Sequence, residues 1–242
     1  MSDLFVTRRR EIKYLVDAGQ MAAFADCASN LLVADTHGDG GSYVNHSIYF
    51  DSPNYTFYAE KREGLRQRVK PRLRLYRSAV DGEPEAMFLE LKHRDGPFVA
   101  KQRTAVGQDL AQSLLSGDGL AADDESGGVL STFAYLNRRF DLRPAVAVLY
   151  HRSAFSCPHH PRLRVTYDRR LQWSRSWAFD AGPAAFATTE AATRGLIEIK
   201  YDGIPPGWLL DTMASLDLQP QSYSKYASAL EAAHAGRRRW SA

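Results

Sequence analysis

The sequence predicts an α+β fold in which an antiparallel β-barrel forms a tunnel with a charged lumen, with helices packed on the outside. Two patterns in the sequence predict its charged face. The dyad Glu-x-Lys recurs in three apolar segments, 10–16, 88–94 and 195–201. The segment 68–76 carries a cation at every second position. Because successive side chains of a strand point to opposite faces, both patterns give a strand with one charged face.

The opposite faces of the same strands are apolar and must be covered. They carry Ile12, Tyr14, Leu73, Leu75, Leu91, Val165, Ile197 and Ile199. A single such strand is typical of an antiparallel sheet with one solvated face. Repetition of the pattern along the chain favours a sheet that curls around its charged face while helices cover the apolar one.

The first half of the chain reads as antiparallel strands with one early helix. A strand at 10–16 is followed by a helix in 17–33, for which Asp17 is a plausible N-cap. A strand at 42–51 ends at the turn signal Asp51-Ser52-Pro53, and strands at 68–76, 87–94 and 98–106 follow.

The second half begins with helices and returns to strands. The segment 109–141 is predicted to be helical around a loop rich in glycine and aspartate at 117–128. Strands follow at 143–156, 162–174 and 195–203, and two helices close the chain after Pro205 and Pro206. One domain at 5–232 with a basic C-terminal tail at 233–242 is the simplest fit.

Composition narrows the class of protein. The chain has 242 residues, 44% hydrophobic and 24% charged, with a net charge of +3, which is typical of a folded globular protein and does not indicate general nucleic-acid binding. No apolar run approaches the roughly 20 residues of a membrane span, and the N-terminus lacks the apolar core of a signal peptide. The two cysteines are too few for a disulfide framework. We therefore expect a cytoplasmic protein.

The alternating cations point to an anionic ligand. Arg68, Lys70, Arg72 and Arg74 would project from one face of one strand, where their mutual repulsion is unfavourable unless anions or solvent neutralise it. A lumen lined by such strands needs a polyanion with a divalent metal, or much water, inside.

An ordered series of short motifs now identifies a resemblance. The series is Arg10-Glu11-Ile12-Lys13-Tyr14, Tyr49-Phe50-Asp51, Arg68-x-Lys70-x-Arg72-x-Arg74-x-Tyr76, Glu90-Leu91-Lys92, Lys101-x-Arg103, Tyr150-x-Arg152, Arg164-x-Thr166-x-Asp168, Glu198-Ile199-Lys200 and Ser224-Lys225-Tyr226. It resembles VTC-type domains, the polyphosphate polymerase branch of the triphosphate tunnel metalloenzymes, which are relatives of CYTH domains. No single dyad is specific, but the ordered series is.

The resemblance implies a role for each motif. Residues implied to bind substrate phosphates are Lys13, Arg68, Lys70, Arg72, Arg74, Lys92, Lys101, Arg103, Arg152, Arg164, Lys200, Ser224 and Lys225. Those implied to act in catalysis are Lys200, Arg72, Arg74, Arg152 and Arg164. Glu198 is the implied ligand of Mn²⁺ or Mg²⁺. Glu11 and Asp168 are further metal candidates, each equally well explained as a counter-ion, and Glu90 is expected to be a structural partner of Lys92 or Lys101.

The implied activity is metal-dependent phosphoryl transfer, most simply polyphosphate synthesis from a nucleoside triphosphate. The implied ligands are nucleoside triphosphate, triphosphate and polyphosphate, and no specific nucleic acid. A hydrolase using water as acceptor and a non-catalytic polyphosphate-binding module are the alternatives. Coupling to transport would require a separate membrane or transport partner, which would place the protein at the inner face of a membrane. Two positions depart from the family pattern: Ser222 replaces a basic residue, and Pro71 interrupts the cationic strand.

Overall fold

A computed structural model of the protein describes residues 3–7, 10–36, 38, 40–77, 84–96, 98–117, 128–177, 179, 185–188 and 194–240. The strands are β1 (Asp3–Thr7), β2 (Arg10–Val16), β3 (Val33–Ala34), β4 (Ser42–Asp51), β5 (Gln67–Arg77), β6 (Ala86–Asp95), β7 (Phe98–Ala105), β8 (Arg143–Cys157), β9 (His160–Ser174), β10 (Ala187–Thr188) and β11 (Gly195–Tyr201). The helices are α1 (Ala18–Ala28), α2 (Thr56–Arg62), α3 (Gln108–Ser116), α4 (Gly128–Phe140), α5 (Gly207–Ser215) and α6 (Lys225–Trp240).

The strands form one antiparallel sheet in the order β1-β7-β6-β5-β4-β8-β9-β11-β2, with β10 attached to β9 and β3 to β8. Among the described residues no backbone pairing joins the end strands β1 and β2, so the sheet is not a closed barrel. It nevertheless curls, because Lys92 of β6 lies 3.4 Å from Glu11 of β2 although these strands are far apart in sheet order. The predicted α+β tunnel with a charged lumen is confirmed, and side chains rather than backbone hydrogen bonds join its opposing walls.

Two apolar clusters on the outer face of the sheet hold the helices. Leu73, Leu75, Leu89 and Leu91 pack against α3 and α4, while Tyr14, Val165 and Ile197 pack against α1 and α5. Burial of each large apolar side chain contributes roughly 1.5–3 kcal/mol, so these clusters supply much of the stability of the fold.

Helix α6 differs from the others because it lies on the lumen side. Its Ala229 and Leu230 pack against Val148 and Tyr150, which share their face of β8 with Arg152. The first residues of α6 therefore reach into the lumen, whereas the sequence predicted every helix on the outside. The helix continues to Trp240, through most of the segment predicted to be a separate tail.

A capping box next to the helix explains α1, whereas α2 is capped by a carboxylate six residues before Phe57. Asp17 and Gln20 form the predicted cap of α1, with the Asp17 carboxylate accepting a hydrogen bond from the Gln20 amide at 2.8 Å. The seven residues of α2 are too few to show helical periodicity, and the sequence analysis missed this helix. Asp51 caps it by accepting hydrogen bonds from the amides of Phe57 and Tyr58, each at 2.9 Å.

Pro71 is accommodated where β5 loses one neighbour. The pairing of β4 with β5 ends at Tyr49 and Arg72, and Pro71 pairs only with Leu91 of β6. At this point β5 is a local edge, so the missing backbone donor costs no ladder hydrogen bond to β4. Of the loop predicted at 117–128, residues 118–127 lie outside the described residues. Among the helices of the described part, none is long and apolar enough to cross a membrane.

Candidate active site

The charged face of the curled sheet lines a lumen, and β5 supplies its longest row of cations. Arg68, Lys70, Arg72 and Arg74 alternate along the strand. The first three are half-buried and Arg74 is buried, so the row leads from one end of the lumen into its interior. The cations that alternate in the sequence therefore share one face of β5, as predicted.

Glu90 lies at the centre of an ion cluster on the wall formed by β5, β6 and β7. Its carboxylate lies 2.7 Å from Arg72 Nη2, 3.7 Å from Arg74 Nε and 2.5 Å from Lys101 Nζ, and its side chain has no exposed surface. Burial would raise the pKa of Glu90, but the three cations outweigh burial and hold the pKa well below its usual range. Of the two partners that the sequence offered for Glu90, the structure places Lys101 beside it.

Glu198 lies in the opposite wall, on β11, among lysines from three elements. Its carboxylate is 2.7 Å from Lys200 Nζ, 3.8 Å from Lys13 Nζ of β2 and 3.9 Å from Lys225 Nζ of α6. Burial would raise the pKa of Glu198, but these lysines hold it well below the usual range. The carboxylate is therefore ionised at neutral pH, as a metal ligand must be.

Glu11 joins the two walls. Its carboxylate contacts Lys13 Nζ at 2.9 Å, Lys92 Nζ of β6 at 3.4 Å and Lys200 Nζ at 3.8 Å. Burial and the neighbouring Glu198 would raise the pKa of Glu11, yet the lysines lower it to about 2. Lys92 and Lys200, which lie on opposite walls, thus contact the same Glu11 carboxylate. The lumen is therefore narrow at this level.

Asp168 on β9 is held by two cations from different elements. Arg152 grips it with two parallel hydrogen bonds, from Nε at 2.6 Å and Nη2 at 2.7 Å, and Lys225 Nζ lies 2.6 Å away. Burial would raise the pKa of Asp168, but Arg152 and Lys225 hold it below its ordinary value. This geometry fits the counter-ion alternative, because one arginine, Arg152, binds both carboxylate oxygens through two parallel charge-assisted hydrogen bonds.

The start of α6 is tied to the lumen by several contacts. Lys70 Nζ donates to Ser224 Oγ at 3.0 Å, and the Tyr226 hydroxyl donates to the Asp51 carboxylate that caps α2. The Lys225 ammonium lies 4.8 Å from the centroid of the Tyr150 ring. These contacts place Ser224 and Lys225 in the lumen.

Two predicted phosphate ligands lie toward the other end of the lumen from Arg68. Arg164, whose side chain is 41% exposed, pairs with Asp35. Arg103 stacks over the Phe88 ring, with its guanidinium carbon 4.9 Å from the ring centroid. The structure therefore places the predicted cations along the full length of the lumen rather than in one cluster.

A comparison with models of protein families identifies the family of this chain. A model of the VTC domain matches residues 8–234. The chain belongs to the VTC domain family. No curated protein matches it.

Solved structures share the fold of this VTC domain. One, from Hippeastrum, was named as a candidate adenylyl cyclase and is described as having a dominant triphosphatase activity; it has 12% identity and a TM-score of 0.54, over 90% of this chain and 93% of that one. Another, from Bacillus halodurans and named as a candidate adenylate cyclase, has 13% identity and a TM-score of 0.52, over 90% of this chain and 96% of that one. At such identities the likeness establishes the fold alone.

Tyrosines hold the cations of this VTC domain, a function that the sequence analysis did not assign to them. The Tyr49 hydroxyl accepts from Arg72 Nη1 at 3.1 Å, and the Tyr150 and Tyr76 hydroxyls lie 3.4 Å from the terminal nitrogens of Arg74. These contacts fix planar guanidinium groups that would otherwise adopt many rotamers. The available signal for Tyr76 and Tyr150 was position, because each lies on the same face of its strand as cations, whereas β4, which carries Tyr49, has no lysine or arginine.

Two carboxylates of the VTC domain have the donor chemistry that a divalent metal requires. Glu198 and Glu11 offer hard, ionised oxygen donors that share Lys13 and Lys200 as neighbours. No cluster of three or more metal-binding side chains is assembled within the described residues. Mg²⁺ characteristically binds through one or two protein carboxylates and substrate phosphate oxygens, and this donor set suits that mode.

The lowered pKa values of Lys70 and Lys101 predict that the protein takes up protons when it binds a phosphate chain. Burial, with repulsion from Lys92, Lys13, Lys61 and Arg68, lowers the pKa of Lys70 to about 7. Burial also lowers the pKa of Lys101 to about 7, although Glu90 opposes this shift and Arg72 and Arg74 add to it. A bound polyanion favours the protonated ammonium and raises both pKa values.

The protein without ligand therefore carries fewer protons than the complex between pH 7 and 9, and tripolyphosphate affinity should fall as pH rises through this window. Calorimetric titration at pH 8 in buffers of different ionisation enthalpy should show net proton uptake. Lys70→Met should reduce that uptake, whereas Lys61→Met, which alters a cation on α2, should leave most of it. Binding with no change in protonation would contradict this prediction.

Proposed function

We propose that this VTC domain catalyses metal-dependent phosphoryl transfer on triphosphate and polyphosphate chains, and that its reaction is polyphosphate synthesis from a nucleoside triphosphate. The observation that carries the proposal is the convergence of cations from opposite walls on one narrow lumen, seen where Lys92 and Lys200 reach the same Glu11 carboxylate. A linear chain of phosphates has the shape and charge to occupy that space.

Polar groups without partners support a polar ligand in the lumen. The hydroxyls of Ser47 and Thr166 and the Nε of Arg74 are buried and have no hydrogen-bond partner among the described residues. Ser47 faces Arg74 across the β4–β5 pairing, and Thr166 faces Glu198 across the β9–β11 pairing. Buried polar atoms are normally satisfied, so water or phosphate oxygens are expected beside these three groups.

The arginines, lysines and carboxylates of the lumen would have different roles in phosphoryl transfer. Phosphoryl transfer needs alignment and charge stabilisation more than covalent help. The guanidinium groups of Arg72, Arg74, Arg152 and Arg164 would bridge neighbouring phosphate oxygens, while Lys200 and Lys13 act as compact charges beside Glu198. A divalent metal bound by Glu198, with Glu11 nearby, would supply charge neutralisation at the transferred phosphoryl group.

The acceptor in this proposal is the terminal phosphate of a growing chain, whose oxygen bonds to the γ-phosphorus of the nucleoside triphosphate while the bond from that phosphorus to the β–γ bridging oxygen breaks and nucleoside diphosphate leaves. This acceptor is already an anion, so the reaction needs no general base. Hydrolysis is the second candidate, favoured by the triphosphatase activity described for the Hippeastrum neighbour of the same fold. In that case water is the acceptor and Glu11, which is ionised, would orient it.

The experiment incubates purified protein with ATP and Mn²⁺ or Mg²⁺ and follows both phosphate chain length on a gel and release of free phosphate. Long chains are the expected result. Free phosphate without chains would replace the polymerase proposal by the hydrolase, and neither product, despite tight binding of polyphosphate, would identify a binding module.

A further inference from the structure

Two residues of the motif series, Asp51 and Tyr226, have no assigned role in the lumen, although both side chains are buried. Asp51 Oδ1 accepts hydrogen bonds from the backbone amides of Ser52 at 2.7 Å and Phe57 at 2.9 Å. Asp51 Oδ2 accepts from the Tyr58 amide at 2.9 Å and from the Tyr226 hydroxyl. Three backbone amides thus fix the carboxylate at the start of α2. The Tyr226 hydroxyl is therefore bound to an acceptor that the backbone holds in place.

The ring of Tyr226 packs against a tyrosine that holds one of the lumen arginines. It stacks on Tyr49, with the ring centroids 5.1 Å apart and the planes tilted by 30°. The Tyr49 hydroxyl accepts a hydrogen bond from Arg72 Nη1 at 3.1 Å. Burial and the neighbouring Asp51 carboxylate raise the pKa of Tyr226, so its hydroxyl keeps its proton and donates to Asp51 at neutral pH. One side chain of α6 therefore contacts both the cap of α2 and the tyrosine that holds Arg72.

Lys225, the residue before Tyr226, is the first residue of α6, and its side chain reaches the opposite wall of the lumen. Its ammonium lies 2.6 Å from the Asp168 carboxylate and 3.9 Å from the Glu198 carboxylate. The first turn of a helix has amides without intrahelical partners, so it frays unless other contacts hold it. The position of this ammonium in the lumen therefore depends on the contacts of the residues beside Lys225.

Other contacts between α6 and the region of α2 lie further along α6. The Tyr58 hydroxyl donates to Glu231 Oε1 at 2.9 Å. The Tyr55 ring meets the His234 ring edge-on, with the centroids 4.9 Å apart. Both contacts lie more than one helical turn beyond Lys225. They can hold the body of α6 without fixing its first turn, whereas the Tyr226 hydrogen bond acts on that turn directly.

We propose that Asp51 and Tyr226 are positioning residues, whose hydrogen bond fixes the first turn of α6 so that Lys225 meets substrate phosphates beside Glu198. Neither residue needs to touch the substrate, because both act through Lys225. A cation that is held in place before the substrate arrives costs no reorganisation when phosphate charge develops beside it. Without the hydrogen bond the first turn of α6 can shift, and the ammonium shifts with it. This inference rests on the proposed function of the lumen.

The test measures tripolyphosphate affinity by calorimetry for the unmodified protein, Lys225→Met, Tyr226→Phe and the double variant. Lys225→Met is expected to weaken binding about tenfold to a hundredfold, the effect of one hydrogen bond from a charged group. Tyr226→Phe keeps the ring on Tyr49 and removes only the hydroxyl. It should weaken binding at least about fivefold, because a displaced ammonium keeps only part of its contact with phosphate. The matched control is Tyr58→Phe, which removes the hydroxyl that donates to Glu231 and should change the affinity by less than about twofold.

The double variant separates positioning from a structural role. If Tyr226 acts through Lys225, adding Tyr226→Phe to Lys225→Met should change the affinity by less than about twofold, because the ammonium that it positions is already absent. A structural contribution of the hydroxyl would weaken binding equally with and without Lys225. That result, or unchanged binding in Tyr226→Phe, would overturn the positioning role.

The outcomes also distinguish this role of Tyr226 from the proposed activity. ATP turnover, measured as chain synthesis and as phosphate release, should fall in Tyr226→Phe together with the affinity. If the unmodified protein binds tripolyphosphate but turns over no ATP, the proposed activity is overturned, and the four affinities still decide the role of Tyr226. Failure of the unmodified protein to bind tripolyphosphate would overturn both.

Discussion

Replacing Glu198 by glutamine is expected to reduce turnover of ATP by at least about a hundredfold, because a bound metal contributes several kcal/mol to the stabilisation of transition-state charge. Glutamine keeps the shape of the side chain but removes the ionised carboxylate. The variant would also replace the charged partner of Lys200 at 2.7 Å by a neutral amide. Activity should be measured as chain synthesis and as phosphate release over a range of Mn²⁺ concentrations.

The metal series separates two explanations for the loss. If Glu198 binds the metal, the variant should need a higher Mn²⁺ concentration for half-maximal activity. If Glu198 only positions Lys200, the Mn²⁺ dependence should be unchanged. Glu231→Gln is the matched control, since Glu231 is a 44% exposed carboxylate that pairs with Arg62 outside the lumen. Full activity of Glu198→Gln would show that catalysis does not need the Glu198 carboxylate.

Replacing Glu90 by glutamine is expected to lower the free energy of unfolding by about 3–5 kcal/mol, because removal of one partner from a buried ion cluster leaves the others uncompensated. Arg72 and Arg74 would then repel each other beside a neutral side chain, and Lys101 would lose its ion pair. For a chain of this size the melting temperature should fall by about 10 °C. Thermal unfolding followed by circular dichroism measures this change.

Tripolyphosphate should restore part of the stability lost in Glu90→Gln, because its oxygens can replace the missing carboxylate. Ligand at a hundredfold excess over its dissociation constant adds about 2.7 kcal/mol to the stability of the bound state. The control is Asp95→Asn, which removes the carboxylate of an exposed pair with Arg66 at 2.7 Å and should change stability by less than about 1 kcal/mol. If Glu90→Gln were no less stable than Asp95→Asn, the Glu90 cluster would not be a stabilising element of the fold.

Much of the secondary structure could be predicted from local sequence. The cap at Asp17 and the turn at Asp51 are chemical signals that act within a few residues, and α1 begins at Ala18 and β4 ends at Asp51 as they indicate. Helix α1 ends at Ala28, before the end of the predicted segment 17–33. Helix α2 and strands β1, β3 and β10 were missed. They are short, and β3 and β10 each pair with one strand over two residues, so tertiary contacts rather than periodicity stabilise them.

The sequence by itself determined which face of each strand is charged, because side-chain alternation is a local property of extended backbone. It therefore indicated the lumen and the residues that line it. Only the tertiary structure decided which charges meet: Lys92 faces Glu11 across the lumen, Lys101 pairs with Glu90, and Lys225 enters with α6. These contacts depend on how far the sheet curls and on where α6 packs. Both are set by burial of apolar surface distributed over the whole chain, which no single segment encodes.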